Sequence, residues 1–140
     1  LQYNEDKNEL AILIKKIHFF LDKNYKIILI YPIPQFKVNI SEVLSSQILL
    51  KDEDYKKNYI SIPYSDYENK TKFIFSELNK LSHKNLYKMY PHNIFCNSML
   101  KNKCIAHNSK EIFFIDGVHV AKKGSILINM DLMKIIDKIY

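Results

Sequence analysis

Two residues near the end of the chain have the types and spacing for acid–base chemistry. Asp116 and His119 are three positions apart in Asp116-Gly117-Val118-His119, between an apolar run at 111–116 and a stretch of helical periodicity. In a turn leaving a strand, that spacing lets the carboxylate accept from the imidazole Nδ1–H, while Nε2 stays free to take a proton from a nucleophile. Gly117 is expected to give such a turn its backbone latitude. Taken alone, the spacing more often marks a capping or solvent-exposed pair. A base also needs a nucleophile, and Ser45, Ser46, Ser61, Ser98 and Ser125 stand in no strand-to-turn elbow. The only cysteines, Cys96 and Cys104, flank the polar loop 97–103 without a compact Cys-x-x-Cys spacing. The residues alone leave three readings open: a disulfide, two unpaired thiols as a reducing compartment favours, or a zinc site completed by His92 or His107. His18 reads as a helix-face histidine, and His83, His92 and His107 as loop residues without a role.

Composition removes several other chemistries. Gly117 and Gly124 are the only glycines, so a phosphate-cradling loop, a dinucleotide fingerprint and a Gly-x-Ser-x-Gly elbow are all excluded. The net charge is +6, yet every basic residue is lysine. Without arginine for bidentate phosphate or guanine contacts, the charge reads as a solvated surface, and no nucleic-acid partner is expected. A length of 140 residues with 47% apolar and 26% charged content fits one globular domain. No window approaches the roughly 18 uninterrupted apolar residues of a membrane span. The chain opens on Leu1 rather than Met, which predicts the carboxy-terminal piece of something longer.

The elements that must position the Asp116–His119 pair alternate between helix and strand. Leu10, Leu13, Ile14, Ile17 and Leu21 recur on one face of a predicted helix over 9–23. Residues 26–31, Lys-Ile-Ile-Leu-Ile-Tyr, form the continuous apolar run of a buried parallel strand, stopped by Pro32 and Pro34. Residues 41–50 have weak helical spacing and 51–58 read as a charged surface stretch. Ser65 and Glu68 form a capping box, predicted to open a helix to about 82 that buries Phe73, Ile74, Leu78 and Leu81. Residues 85–90 and 111–116 are further predicted strands, and 124–140 a closing helix. Strands separated by helices point to an α/β fold with a short parallel sheet. In such sheets active residues sit beyond the carboxyl ends of strands, here at 31–34, 90–92 and 116–119.

The block 114–125, Phe-Ile-Asp-Gly-Val-His-Val-Ala-Lys-Lys-Gly-Ser, resembles the terminal Asp-x-x-His block of SGNH (GDSL-type) hydrolases. More narrowly, Tyr90-Pro91, Phe95-Cys96, Cys104 and this block, in that order, resemble the SGNH domain fused to membrane acyltransferase-3 proteins. Ile30-Tyr31-Pro32-Ile33-Pro34 is similar to that family's post-strand motif, so the resemblance spans essentially the whole chain. It implies a partial flavodoxin-like (SGNH hydrolase) three-layer fold, with residues 1–140 as the carboxy-terminal part of one SGNH domain. It implies His119 as catalytic base, Asp116 as its orienting acid, and a Cys96–Cys104 disulfide on the extracytoplasmic, periplasmic face. The family's nucleophile serine, in a Gly-Asp-Ser motif, and its oxyanion residues precede the strand at 26–31 and are expected upstream of Leu1. One departure stands out: the family usually has His-Leu-Ser where this chain has His119-Val120-Ala121, and losing that capping serine is worth about 1 kcal/mol.

The function so implied is O-acyl transfer, chiefly of acetyl, to a surface polysaccharide such as lipopolysaccharide. The partners would be a glycan acceptor, an acyl donor and an upstream membrane acyltransferase domain, with no metal or cofactor. This chain alone is expected to be inactive. An SGNH esterase fragment differs only in passing the acyl group to water. A noncatalytic α/β module binding a partner or polyanion through its lysines is the reading from another class.

Overall fold

The structure is a computed structural model and describes residues 7–51 and 54–140. Helix α1 (Lys7–Asp22) buries Leu10, Ile17 and Leu21 on the stripe its periodicity predicts. It ends in a Schellman motif. Asn24 takes a left-handed φ of 62° and donates its N–H to Leu21 O at 2.8 Å, while Tyr25 N–H reaches Phe20 O at 3.0 Å. The chain then enters β1 (Ile27–Ile30), which pairs in parallel with β3 (Leu86–Met89), Ile27 facing Leu86 and Ile30 facing Met89. Tyr31 N–H extends this register by donating to Met89 O at 2.9 Å.

Alternation along β1 sorts the helices into layers. Ile27, Leu29 and Tyr31 point into a core shared with Leu10, Ile17, Leu21 of α1 and Leu78 of α3 (Tyr64–Asn79). Ile30 faces the other way and lines a cavity with Ile128 of α5 (Lys122–Ile139). The parallel pair thus lies between α1 and α3 on one side and α5 on the other, the three-layer α/β arrangement expected. At the far end of α5, Lys26 Nζ donates to Ile139 O at 2.9 Å, just before β1 begins. Helix α5 therefore runs back against the strands, which places its amino terminus, and the 116–119 turn before it, at their carboxyl edge.

Between β1 and β3 lie α2 (Ile40–Leu49), a 3-10 turn (Asp54–Lys56) and β2 (Ser61–Pro63). Asp52 and Glu53, within the charged stretch at 51–58, fall outside the described residues, as does Leu1. After β3 come the short α4 (His92–Phe95) and β4 (Lys103–Ile105), which pairs antiparallel with β2. A second core of Phe36, Ile40, Leu44, Phe95, Ile105 and Phe114 fills the space between these pieces.

Four expectations are corrected. Residues 111–116 join neither sheet and make only isolated bridges, His107 with Ile112 and Phe114 with Val120. Backbone groups of this run are taken by Ala106 O, Ser41 N–H, Ala121 N–H and His119 O, none of which lies in a strand of either sheet. Ser65 is not the cap of α3, whose N-cap is Pro63 with no side-chain bond. The helix begins two residues early, with Tyr64 N–H satisfied by Asn102 O at 2.9 Å. Phe73 is exposed, since the stripe facing inward is Tyr67, Thr71 and Leu78. Helix α5 also starts at Lys122, two residues before the predicted boundary.

Candidate active site

The turn carrying Asp116 is fixed by backbone hydrogen bonds on both sides. Phe113 and Phe114 N–H groups share Ala106 O at 2.9 and 3.2 Å, anchoring the chain as it arrives. Ile115 O accepts from Ser41 N–H at 2.9 Å and from Ser41 Oγ at 2.7 Å. Gly117 O accepts from Phe36 N–H at 2.7 Å, and Ile115 N–H closes the turn onto His119 O at 2.9 Å. Gly117 is required here by proximity, not by latitude, since neither glycine has a positive φ. A Cβ at 117 would collide with the carbonyl oxygen of Phe36.

Within this frame Asp116 Oδ1 accepts from Val118 N–H at 2.8 Å and His119 N–H at 2.7 Å. Its other oxygen, Oδ2, lies 2.8 Å from His119 Nδ1. The two backbone donors, with help from the imidazole, hold the carboxyl down to about 2, so it is ionised and can only accept. Nδ1 must then carry the proton, and in the neutral ring Nε2 is bare. The His119 side chain is 75% exposed against 34% for Asp116, so the pair presents a proton acceptor outward on an oriented imidazole. Among the described residues no serine hydroxyl is hydrogen-bonded to His119; Ser41 donates to Ile115 O and Ser46 to Glu42 O.

The missing serine at 121 leaves α5 with Ala121 as an N-cap that makes no side-chain bond. Backbone contacts take over. Ala121 N–H donates to Phe113 O at 2.8 Å, and Gly124 lets the first turn of α5 press against the same carbonyl, where a Cβ would collide.

Cys96 and Cys104 are bonded to each other, S–S 2.02 Å, across an antiparallel bridge between the end of α4 and β4. In this arrangement neither sulfur is left as a thiolate ligand for zinc. The loop between them closes through Asn97 N–H to Lys103 O at 2.9 Å and Asn102 N–H to Asn97 Oδ1 at 2.6 Å, both asparagines adopting left-handed φ.

Two histidines given no role from sequence are buried and structured. His107 Nε2 accepts from Ile60 N–H at 2.9 Å and its Nδ1 donates to Asn108 O at 3.1 Å. Burial lowers its pKa, only partly countered by the Asn108 carbonyl, which keeps the neutral Nδ1–H form that this pairing needs. His92 is 6% exposed and stacks on Tyr67 with ring centroids 5.1 Å apart, and its Nδ1 has no hydrogen-bond partner among the described residues. Neither is signalled by local sequence, since Ile60 and Tyr67 reach them from other elements.

The family model for the SGNH domain (fused to AT3 domains) matches residues 2–134. No curated protein and no solved structure matches the chain. No helix among the described residues is long and apolar enough to cross a membrane.

Proposed function

The chain belongs to the family of SGNH domains fused to AT3 domains, and on that premise we propose that it is the carboxy-terminal part of an acyltransferase domain acting outside the membrane. The reaction is O-acyl transfer, chiefly of acetyl, to hydroxyls of a surface polysaccharide. His119 is the general base and Asp116 the carboxylate that fixes its tautomer. The nucleophile is a serine supplied by sequence outside this chain, as are the oxyanion donors.

In this mechanism the serine Oγ attacks the donor's acyl carbon and its proton passes to His119 Nε2. Collapse of the tetrahedral intermediate breaks the bond to the donor's leaving group, which takes that proton from Nε2. A glycan hydroxyl then repeats the attack on the acyl-serine, giving its proton to Nε2, and the released Oγ recovers it. Asp116 stays ionised throughout and stabilises the imidazolium formed in each half-reaction.

The observation that carries this reading is the 2.8 Å contact from His119 Nδ1 to an Asp116 carboxylate whose other oxygen is held by two backbone N–H groups. The backbone donors fix the carboxylate, and the carboxylate fixes the ring with Nε2 turned outward, where a nucleophile's proton could be received. The position agrees, since the turn lies at the carboxyl edge of the parallel strands. The test is the O-acetyl content of surface glycan, read by proton NMR, from cells making the full-length protein or its His119→Ala form. The expected result is loss of the protein-dependent acetyl signal with normal protein levels. Undiminished acetylation would overturn the reading.

A further inference from the structure

Three aromatic rings near the end of α1 stand outside the packed cores of the molecule. Phe19 and Phe20, in the last turn of α1, and Tyr25, just before β1, are exposed and belong to none of the clusters that fill the interior. They pack edge to face on one another, Phe19 on Phe20 with centroids 5.4 Å apart and Phe20 on Tyr25 at 5.6 Å. Lysines surround them. Lys23 Nζ lies 4.8 Å from the centre of the Phe19 ring, and Lys26 Nζ 4.4 Å from that of the exposed Tyr140. Lys15 and Lys16 precede Phe19 by one helical turn, and Lys84 arrives on the loop that Asn85 ties to Asn24 through a 2.8 Å bond. All five lysines are exposed. The carboxylates nearby are largely matched already, Glu77 by Lys80 at 2.6 Å and Asp137 by its neighbour Lys138, which leaves Asp22 against the five. Most of the chain's net charge of +6 is thus gathered at the amino edge of the parallel strands, opposite the Asp116–His119 turn.

We propose that this end of the molecule docks on an anionic phospholipid surface, its three rings at headgroup level and its lysines on the lipid phosphates. Exposed aromatic rings set among lysines match the boundary between headgroups and acyl chains, where each ring finds an apolar neighbour and each ammonium an anion. The lysine stems lie along the rings, so both kinds of contact are made at once. The two features together select the partner. An anionic polymer would take the lysines and leave the phenylalanines in water, and an apolar protein surface would take the rings and strand five charges. The contact is peripheral, since no helix among the described residues is long and apolar enough to cross a bilayer. Helix α1 turns its apolar stripe to the core, so only its last turn and the approach to β1 meet the lipid. The Asp116 turn, at the opposite edge, then points away from the surface, and the inference does not depend on what that turn catalyses.

The test uses this 140-residue chain and co-sedimentation with phosphatidylcholine vesicles, with and without a third of phosphatidylglycerol. The chain is expected to sediment with the anionic vesicles and to stay in solution with the neutral ones. Binding should fall as salt rises from about 0.1 M to about 1 M, which shortens the screening length from about 10 Å to about 3 Å. Lys16→Gln, Lys23→Gln and Lys84→Gln should each weaken binding about five-fold. Phe19→Ser with Phe20→Ser should weaken it by about ten-fold or more, as two rings no longer leave water. All these positions are exposed, so the variants should keep the wild-type urea midpoint. Lys110→Gln with Lys122→Gln, exposed beside the Asp116 turn, should bind as the wild type does. A nitroxide placed high on the lipid acyl chain should broaden the Phe19, Phe20 and Tyr25 ring signals and spare the Asp116 turn. No sedimentation with anionic vesicles, equal binding to neutral ones, or full affinity in the double phenylalanine variant would each overturn the proposal. So would equal weakening in the Lys110 and Lys122 control, or capture by heparin or a self-made dimer in place of vesicles.

Discussion

Replacing Gly117 by alanine tests how the candidate site is held. The new Cβ would occupy the place of the Phe36 carbonyl oxygen. That obstacle is backbone, so no rotamer change relieves it. Either the 36–38 segment or the 116–119 turn must withdraw, and the 2.7 Å bond from Phe36 N–H to Gly117 O breaks. Overpacking of this kind costs about 1–3 kcal/mol, and a lost hydrogen bond adds about 1 kcal/mol. Against this, alanine reduces the freedom of the unfolded chain and returns about 0.4–1 kcal/mol. The unfavourable effects win, leaving a net loss of roughly 2 kcal/mol.

Urea denaturation at neutral pH measures that loss as a lower midpoint with an unchanged slope. Amide hydrogen exchange locates it, because Phe36 and Ser41 N–H groups should lose protection together. Gly124→Ala provides the comparison. Its Cβ meets Phe113 O in the same way, but alanine gains about 1 kcal/mol over glycine within a helix, so its net cost should be smaller. A Gly117→Ala protein as stable as the wild type, with the Phe36 amide still protected, would refute the close approach and with it this account of the turn.

Three further outcomes are expected. Alkylation of the unreduced protein should find no free thiol, and Cys96→Ser with Cys104→Ser should lower stability by about 2.5 kcal/mol, the loop-closure value for so short a loop, as read by urea unfolding. Folding stability should fall as the pH drops below the ordinary histidine pKa of 6.5. Burial holds His107 and His92 below that value when folded, so their contribution is complete above 6.5 and is lost as the folded pKa values are passed; His107→Gln should flatten part of this fall, and equal slopes would exclude His107 as a source. On p-nitrophenyl acetate the isolated chain should do no better than its His119→Ala form, whereas robust His119-dependent turnover would mean that an internal serine serves.

What could be read in advance depended on how locally each feature is determined. Helix α1 and strand β1 show in the sequence because Leu10, Ile17 and Leu21 repeat on one face and residues 27–30 are apolar throughout. Strands β2 and β4 have three residues each and pair across some forty positions, so no local pattern announces them. The run at 111–116 has strand composition, but its carbonyls and amides are claimed by Ala106, Ser41 and His119. Helix α2, legible only as weak helical spacing at 41–50, is capped by Asn39. Asn39 Oδ1 accepts from Glu42 N–H while Asn39 Nδ2 reaches Glu42 Oε1, whereas Ser65 lost its place once Asn102 satisfied Tyr64. At the site, the Asp116–His119 contact was legible as an i,i+3 spacing. The clamps on it from Phe36 and Ser41 were not, because they come from more than seventy residues away.

The central claim is that Asp116 and His119 act as one unit in acyl transfer. The direct test is a double-mutant cycle on the full-length protein, measuring the acyl-transfer rate of Asp116→Ala, His119→Ala and the combined variant at equal protein levels. Each single change should lower the rate by orders of magnitude. The double should be little worse than His119→Ala alone, because Asp116 works only through the imidazole. Full activity in either single variant, or costs that simply multiply in the double, would contradict the account.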